Sequence, residues 1–281
     1  MPIIDAQVHA YEPDHPQRPW AAVLHGPSSM TGDETVAAMD AANVDGAILV
    51  SPFAMYRYDA SYALQVYAAH PTRFGLVKPI DHTDPAAGEV VTDWANTTGA
   101  VGARLMMNHD MPRDPADPGV TRVLQAAAQH DLPVNLLCAG RLDQLAKMAA
   151  QNANTRFVVD HLGLAQPFVP PVPADPWADL PALLALARYD NVTVKISGAG
   201  TLSHEPYPYP DIWTPIRRVL DAFGMERCMW GTDWTRATAF LTYPQGVDAF
   251  LTSPHLSDGD RAHLMGDTLS RVYRWSPSAR R

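Results

Sequence analysis

Asp5, Gln7 and His9 stand at two-residue spacing in the apolar run 3–11, so a strand there sends a carboxylate, a carboxamide and an imidazole to one face. Such groups are costly to bury without partners, so this face reads as an active centre that draws further polar groups from elsewhere in the chain. The alternative is a half-exposed edge strand with ordinary polar residues. Other polar residues close apolar runs in the same way: Ser51, Lys78, Arg104, His161, Ser197 and Asp233. A carboxylate and imidazoles can exchange protons with a substrate, and an arginine can clamp a substrate carboxylate in its planar fork. Taken alone, His161 is a hydrogen-bonded core histidine; it becomes a catalytic candidate only if the fold gathers it with His9 and Asp233.

The order of elements supplies the gathering. After the first run, apolar runs at 44–51, 74–80, 102–107, 133–138, 156–161, 192–197 and 228–233 alternate with helical patterns at 31–42, 58–69, 85–97, 118–129, 141–151, 177–189, a stretch ending at 223, 243–251 and 257–275. Eight β/α steps with near-continuous apolar strands are what a closed parallel barrel with outer helices requires. The sequence therefore predicts one α/β (β/α)8 TIM barrel over 1–281 with a C-terminal helix. An open doubly wound sheet is the runner-up, but no Gly-x-Gly-x-x-Gly follows the first strand. A barrel carries its active centre at the C-terminal strand ends, so one mouth collects the candidates named above.

Three loops can line that mouth. Residues 12–30 hold Trp20 and His25 in a Pro- and Gly-containing connection expected to act as a lid or substrate loop. Asn108 and His109 follow the fourth strand, and His204, Tyr207 and Tyr209 sit in the seventh loop. A Pro- and Tyr-rich loop equally suits a subunit contact, which makes a homodimer an expectation. Lys78 has a second reading, sealing the mouth against an acidic neighbour, and Ser51 one as a cap where Pro52 turns the chain. Asp160 should point away from the face of His161 in a regular strand.

Composition narrows the class. A net charge of -9 without a basic block argues against a nucleic-acid or anionic-membrane surface. Cys138 and Cys228 each lie inside an apolar run, as reduced buried thiols do, which points to a reducing cytoplasm. The N-terminus carries Asp5 in place of a basic leader, and no apolar run is long enough for a bilayer, so neither export nor membrane insertion is expected.

The segments Ile4-Asp5-Ala6-Gln7-Val8-His9, Gly102-Ala103-Arg104-Leu105, Val159-Asp160-His161-Leu162-Gly163 and Trp230-Gly231-Thr232-Asp233-Trp234 together resemble the amidohydrolase superfamily. More narrowly they resemble its amidohydrolase-2 branch, which holds metal-independent pyrone-dicarboxylate lactonases, sugar-acid lactonases, a galactarolactone isomerase and, further off, zinc-dependent decarboxylases. The resemblance spans essentially the whole chain and implies the distorted amidohydrolase-like form of the barrel. Where the family pattern has two histidines in strand 1, this chain has Gln7 and then His9. The strand 5 histidine of the pattern would fall near Leu137, and neither Asn135 nor Cys138 replaces it. The remaining His9, His161 and Asp233 can hold zinc through two nitrogens and one carboxylate with an open position for water. The loss of two expected ligands favours a metal-free site, so no cofactor is expected.

The mechanism expected from these residues is lactone opening. Asp233 is the general base for a water or substrate hydroxyl, and His9 and His161 polarise the carbonyl or carry the proton to the leaving oxygen. Gln7 holds the carbonyl or orients His9. Arg104 clamps a substrate carboxylate, with a structural ion pair as its alternative role. The expected partner is a small carboxylated lactone of the sugar-acid or pyrone/muconate type. Hydrolysis is preferred because water needs no specially placed hydroxyl; isomerisation puts a substrate hydroxyl in the place of water. A metal-dependent decarboxylase of a hydroxylated aromatic acid and a non-catalytic binding barrel are the other classes.

Overall fold

The computed structural model describes residues 2–23, 25–107, 114 and 116–278. Eight parallel strands, β1 (Ile4–Val8), β2 (Gly46–Val50), β3 (Phe74–Pro79), β4 (Ala100–Met106), β5 (Val134–Leu137), β6 (Phe157–Val159), β7 (Val192–Ser197) and β8 (Cys228–Gly231), follow one another in sequence order around the sheet. The helices are α1 (Gly32–Ala41), α2 (Phe53–Tyr56), α3 (Ser61–Ala69), α4 (Ala87–Ala95), α5 (Pro118–Gln129), α6 (Leu142–Gln151), α7 (Leu180–Leu184), α8 (Trp213–Phe223), α9 (Tyr243–Leu251), α10 (Asp258–Ala262) and α11 (Thr268–Tyr273). This is the distorted (β/α)8 barrel expected of the sequence. None of the described helices is long and apolar enough to cross a membrane.

Period-two alternation sorts each strand into two environments. Ala47, Leu49, Phe74, Leu76, Ala103, Leu105, Val134, Leu136, Val194 and Ile196 pack outward against the helices. Ile4, Ala6, Ile48, Val50, Val77, Val158 and Met229 fill the lumen, where Leu269, Val272 and Tyr273 of α11 join them. The C-terminal helix is thus a plug in the barrel. The single helix expected over 257–275 is in fact α10, a π-helical turn His263–Asp267 and α11. A capping box opens it: Ser257 Oγ accepts from Asp260 N, and Asp260 Oδ2 accepts from Ser257 N.

The seam between β8 and β1 departs from a regular ladder. The register of β1 on β2 slips between Asp5 and Val8, a bulge that puts Asp5 on the other side of the strand from Gln7 and His9. Asp5 Oδ1 accepts from Gln7 N and Thr232 N, both at 2.9 Å, and Oδ2 accepts from Thr232 Oγ1 at 2.5 Å. Asp233 N donates to Gln7 O at 3.0 Å. Asp5 is therefore a strut across the seam, which corrects its expected place in the active centre. The approach is close enough that a Cβ on Gly231 would lie 3.0 Å from Gln7 N and 3.1 Å from Asp5 Oδ1.

Candidate active site

Asp233, directly after β8, is fully buried and adopts left-handed backbone angles (φ 49°, ψ 35°) that turn its carboxylate across the mouth. Oδ2 accepts from Arg236 Nε at 2.5 Å and lies 3.4 Å from His161 Nδ1. Oδ1 lies 3.4 Å from His9 Nε2 and accepts no hydrogen bond among the described residues. Burial alone would raise this carboxyl, but Arg236 and the adjoining imidazoles outweigh it and hold the group ionised, well below the usual carboxylate range.

The orientation of His9 follows from its neighbours. Its Nδ1 lies 2.7 Å from the carbonyl of Val50, which can only accept, so Nδ1 carries the proton and Nε2 presents its lone pair. Gln7 Nε2 lies 3.3 Å from that lone pair and donates to it. The carboxamide is held this way round because Lys195 Nζ donates to Gln7 Oε1 at 2.8 Å. His9 Nε2 is thus engaged by an N–H, and Asp233 Oδ1 beside it is the acceptor left open at the mouth.

His161 is aimed by backbone strain. β6 ends at Val159, and His161 (φ 54°) and Leu162 (φ 61°) take left-handed conformations, costing on the order of 1–3 kcal/mol each. Ser197 at the end of β7 anchors the turn: its Oγ accepts from His161 N at 3.2 Å and lies 3.0 Å from Nδ1. Burial pushes the imidazole down to about 4, although Asp233 and Asp160 pull it upward. His161 is neutral at pH 7.

Asp160 does not point away from the site. Val158 and Asp160 share the inward face of β6, and the left-handed turn brings His161 inward as well. Asp160 Oδ2 accepts from Arg104 Nε at 2.8 Å, and Oδ1 lies 3.1 Å from Lys195 Nζ and 3.4 Å from Asn135 Nδ2. Tyr273 OH of the plug donates to Asn135 Oδ1 at 2.8 Å, so a polar chain runs from the barrel floor to the mouth. Burial would raise Asp160, but Lys195 and Arg104 outweigh it and keep it ionised. Three cations, Arg104, Lys195 and Arg236, face two carboxylates, Asp160 and Asp233. The surplus positive charge suits an anionic ligand.

The structure brings together Gln7, His9, Arg104, His161, Ser197 and Asp233. Arg104 reaches its place with Nε committed to Asp160, the structural pairing weighed for it. Other expected ligand-binding residues sit elsewhere. Lys78 follows the outward alternation of β3 and lies over the Trp94 ring of α4, 5.7 Å from its centroid. Ser51 spends its hydroxyl on Asp59 O at 2.8 Å, tying down the loop after β2. Trp20 packs edge-on to Tyr11 and donates to Glu12 O. His204 is exposed in an outer groove with Trp177, Asp211 and Arg218, and Tyr207 is exposed against Tyr209. His25 meets Phe168 at 5.6 Å, and Phe168 lies under the Arg236 guanidinium at 5.2 Å, so the first loop does reach the rim. Asn108 and His109 lie outside the described residues.

Lys195, Asp160, Asn135 and Arg236 belong to the site without having been nominated from sequence. One signal for Lys195 was available, since it lies two residues before Ser197 in an apolar strand and so shares its face. Arg236 gave none, being one of many arginines in a loop.

The donors present do not suit a divalent metal. Among the described residues no group of three or more His, Cys, Asp or Glu side chains could hold one. The carboxamide oxygen nearest to His9 is taken by an ammonium, and an N–H is aimed at the His9 lone pair.

A sheet of eight parallel strands with imidazoles and a carboxylate at its mouth defines an amidohydrolase-type barrel. The chain belongs to the Amidohydrolase family, whose model matches residues 4–275. It is similar to 4-sulfomuconolactone hydrolase of Hydrogenophaga intermedia, 27% identical over 249 residues covering 86% of this chain and 78% of that one. It is also similar to D-galactarolactone isomerase of Agrobacterium fabrum, 28% identical over 252 residues covering 88% and 81%. Among solved structures, an amidohydrolase from Burkholderia multivorans with bound zinc superposes with a TM-score of 0.82 at 23% identity, covering 98% of this chain and all of that one. That likeness speaks to the fold.

Proposed function

We propose that the protein is a metal-independent lactone hydrolase acting on a carboxylated lactone of the sugar-acid or pyrone/muconate type. The observation that carries this reading is Asp233 Oδ1, an acceptor left open at the mouth 3.4 Å from His9 Nε2. A water donating to Oδ1 turns its own lone pair outward, toward a carbonyl set over it. Asp233 takes the proton as that water attacks, and Arg236 keeps the carboxylate ionised until then. His161, on the other oxygen of Asp233, relays to the leaving alkoxide the proton that Asp233 has taken, so that the carboxylate and the neutral imidazole are both restored. Ring-ester opening asks less of the site than amide cleavage, because the leaving group is an alkoxide and fixed donors can steady the oxyanion. The surplus positive charge, with Arg104 beneath the mouth, supports a substrate that brings a carboxylate. The lactone-converting relatives support the same class of substrate.

The similarity to an isomerase favours one second reading, in which a substrate hydroxyl occupies the place of water and re-esterifies the carbonyl. The proton inventory is then unchanged. The test is a pH-indicator screen over sugar-acid and pyrone or muconate-type lactones with and without chelator, with products resolved by NMR. Acid release that survives chelator and falls about 10²- to 10⁴-fold in Asp233→Asn is expected. A rearranged lactone without acid release selects isomerisation. Turnover that requires added metal overturns the metal-independent reading; full activity in Asp233→Asn removes the general base.

A further inference from the structure

The most deeply buried cation among the described residues has no part in the proton transfers above. Lys195 is fully buried on β7, and its Nζ lies between Gln7 Oε1 at 2.8 Å and Asp160 Oδ1 at 3.1 Å, 5.7 Å from the centroid of the Tyr273 ring. Asp160 does not depend on it alone, since Arg104 Nε and Asn135 Nδ2 also donate to that carboxylate. What depends on Lys195 is the orientation of Gln7. A carboxamide has one donor end and one acceptor end, and an ammonium can only donate. Lys195 therefore takes the oxygen end and leaves the NH2 end directed at His9 Nε2.

The other orientation would make a different site. With the Gln7 oxygen toward the mouth, Gln7 Oε1, His9 Nε2 and Asp233 Oδ1 would be acceptors converging on one place, beside a neutral His161. Oxygen and imidazole donors of that kind hold divalent cations. As built, an N–H fills the His9 lone pair and a fixed positive charge stands behind it.

We propose that Lys195 is a positioning residue that selects the ligand chemistry of this site: through Gln7 it denies His9 and Asp233 to a divalent cation and leaves Asp233 Oδ1 to accept from a hydrogen-bonded ligand. This inference is independent of the lactone reading, because its readouts do not involve turnover. The control is exerted one shell away from the donors, where substitutions typically change metal affinity by roughly 10- to 100-fold.

The experiment titrates Zn2+ into metal-stripped wild-type protein, Lys195→Met and Lys195→Arg by calorimetry, with bound metal counted by elemental analysis. Lys195→Met is expected to gain stoichiometric zinc, bound roughly 10- to 100-fold more tightly than any wild-type binding. Lys195→Arg, which keeps a donor-only cation, is expected to stay with the wild type. Equal zinc binding by wild type and Lys195→Met, or no gain in a folded Lys195→Met, overturns the proposal. A measurement on the wild type stands if the variant does not fold: the imidazole 15N spectrum of His9 must show a protonated Nδ1 and an unprotonated Nε2. A proton on Nε2 at neutral pH overturns the proposal by itself.

Discussion

At the scale of single residues, the site is governed by which atoms are already committed. Asp233 Oδ2 is held by Arg236, and only Oδ1 is left to take a proton. Replacing Arg236 with methionine removes the cation while burial remains, so the Asp233 carboxyl rises. Because the proposed base works as the anion, activity is lost as pH falls through its pKa, and a higher pKa moves that loss to higher pH. For the wild type, the part of the acid-side loss in kcat/KM that comes from protonating His161 should fall near pH 4. In Arg236→Met the acid limb should begin at a higher pH. A His161 imidazole that titrates near 6.5, the ordinary histidine value, in NMR would contradict the environment described for it.

The elements carry the burden of aiming these atoms. The plug α11 closes the lumen with Leu269, Val272 and Tyr273 and reaches the polar chain through the Tyr273 hydroxyl. Leu269→Ala should cost about 2–5 kcal/mol in urea unfolding, as buried leucine truncations do. Tyr273→Phe keeps the packing but strands Asn135 Oδ1, which predicts a loss of about 1–3 kcal/mol. At the seam, Gly231→Ala would press a methyl group on the β1 backbone at Gln7 N. That displaces the residue holding His9, so the proposed turnover should fall by a larger factor than in a surface alanine control, with Gln7 and His9 NMR signals shifted. Unchanged turnover and spectra would show that the seam tolerates the extra carbon.

For the whole molecule, two buried groups pull stability in opposite directions with pH. Burial raises Asp5 from 3.8 to about 6, despite its hydrogen bonds from Thr232 and Gln7, so between those values the folded chain holds a proton that the unfolded chain has lost. Its contribution therefore falls as pH rises through that window. His161 does the reverse: the unfolded chain takes up a proton near 6.5 and the folded one near 4, so stability falls as pH drops between them. Each shift amounts to roughly 3 kcal/mol at most, and across pH 4–6 the two largely cancel. Asp5→Asn keeps the shape of the protonated group and removes its titration. The variant should lose stability steadily from pH 6.5 to pH 4 in denaturant titrations, whereas the wild type changes little; parallel profiles would refute the assignment.

The sequence by itself determined the strand count and order, because apolar runs of strand length alternating with helical periodicity are local properties of the chain. It also determined that a buried carboxylate and two histidines would end three of those strands, and that Gln7 interrupts a pattern of imidazoles. Tertiary structure decided which of the polar residues act together. A bulge moved Asp5 to the seam, a left-handed turn brought Asp160 and His161 to the same mouth, and strict alternation put Lys78 outside. The orientation of Gln7 rests on Lys195, a residue 188 positions away. Spacing along a strand tells which face a side chain occupies; only closure of the barrel tells which donor or acceptor it meets there.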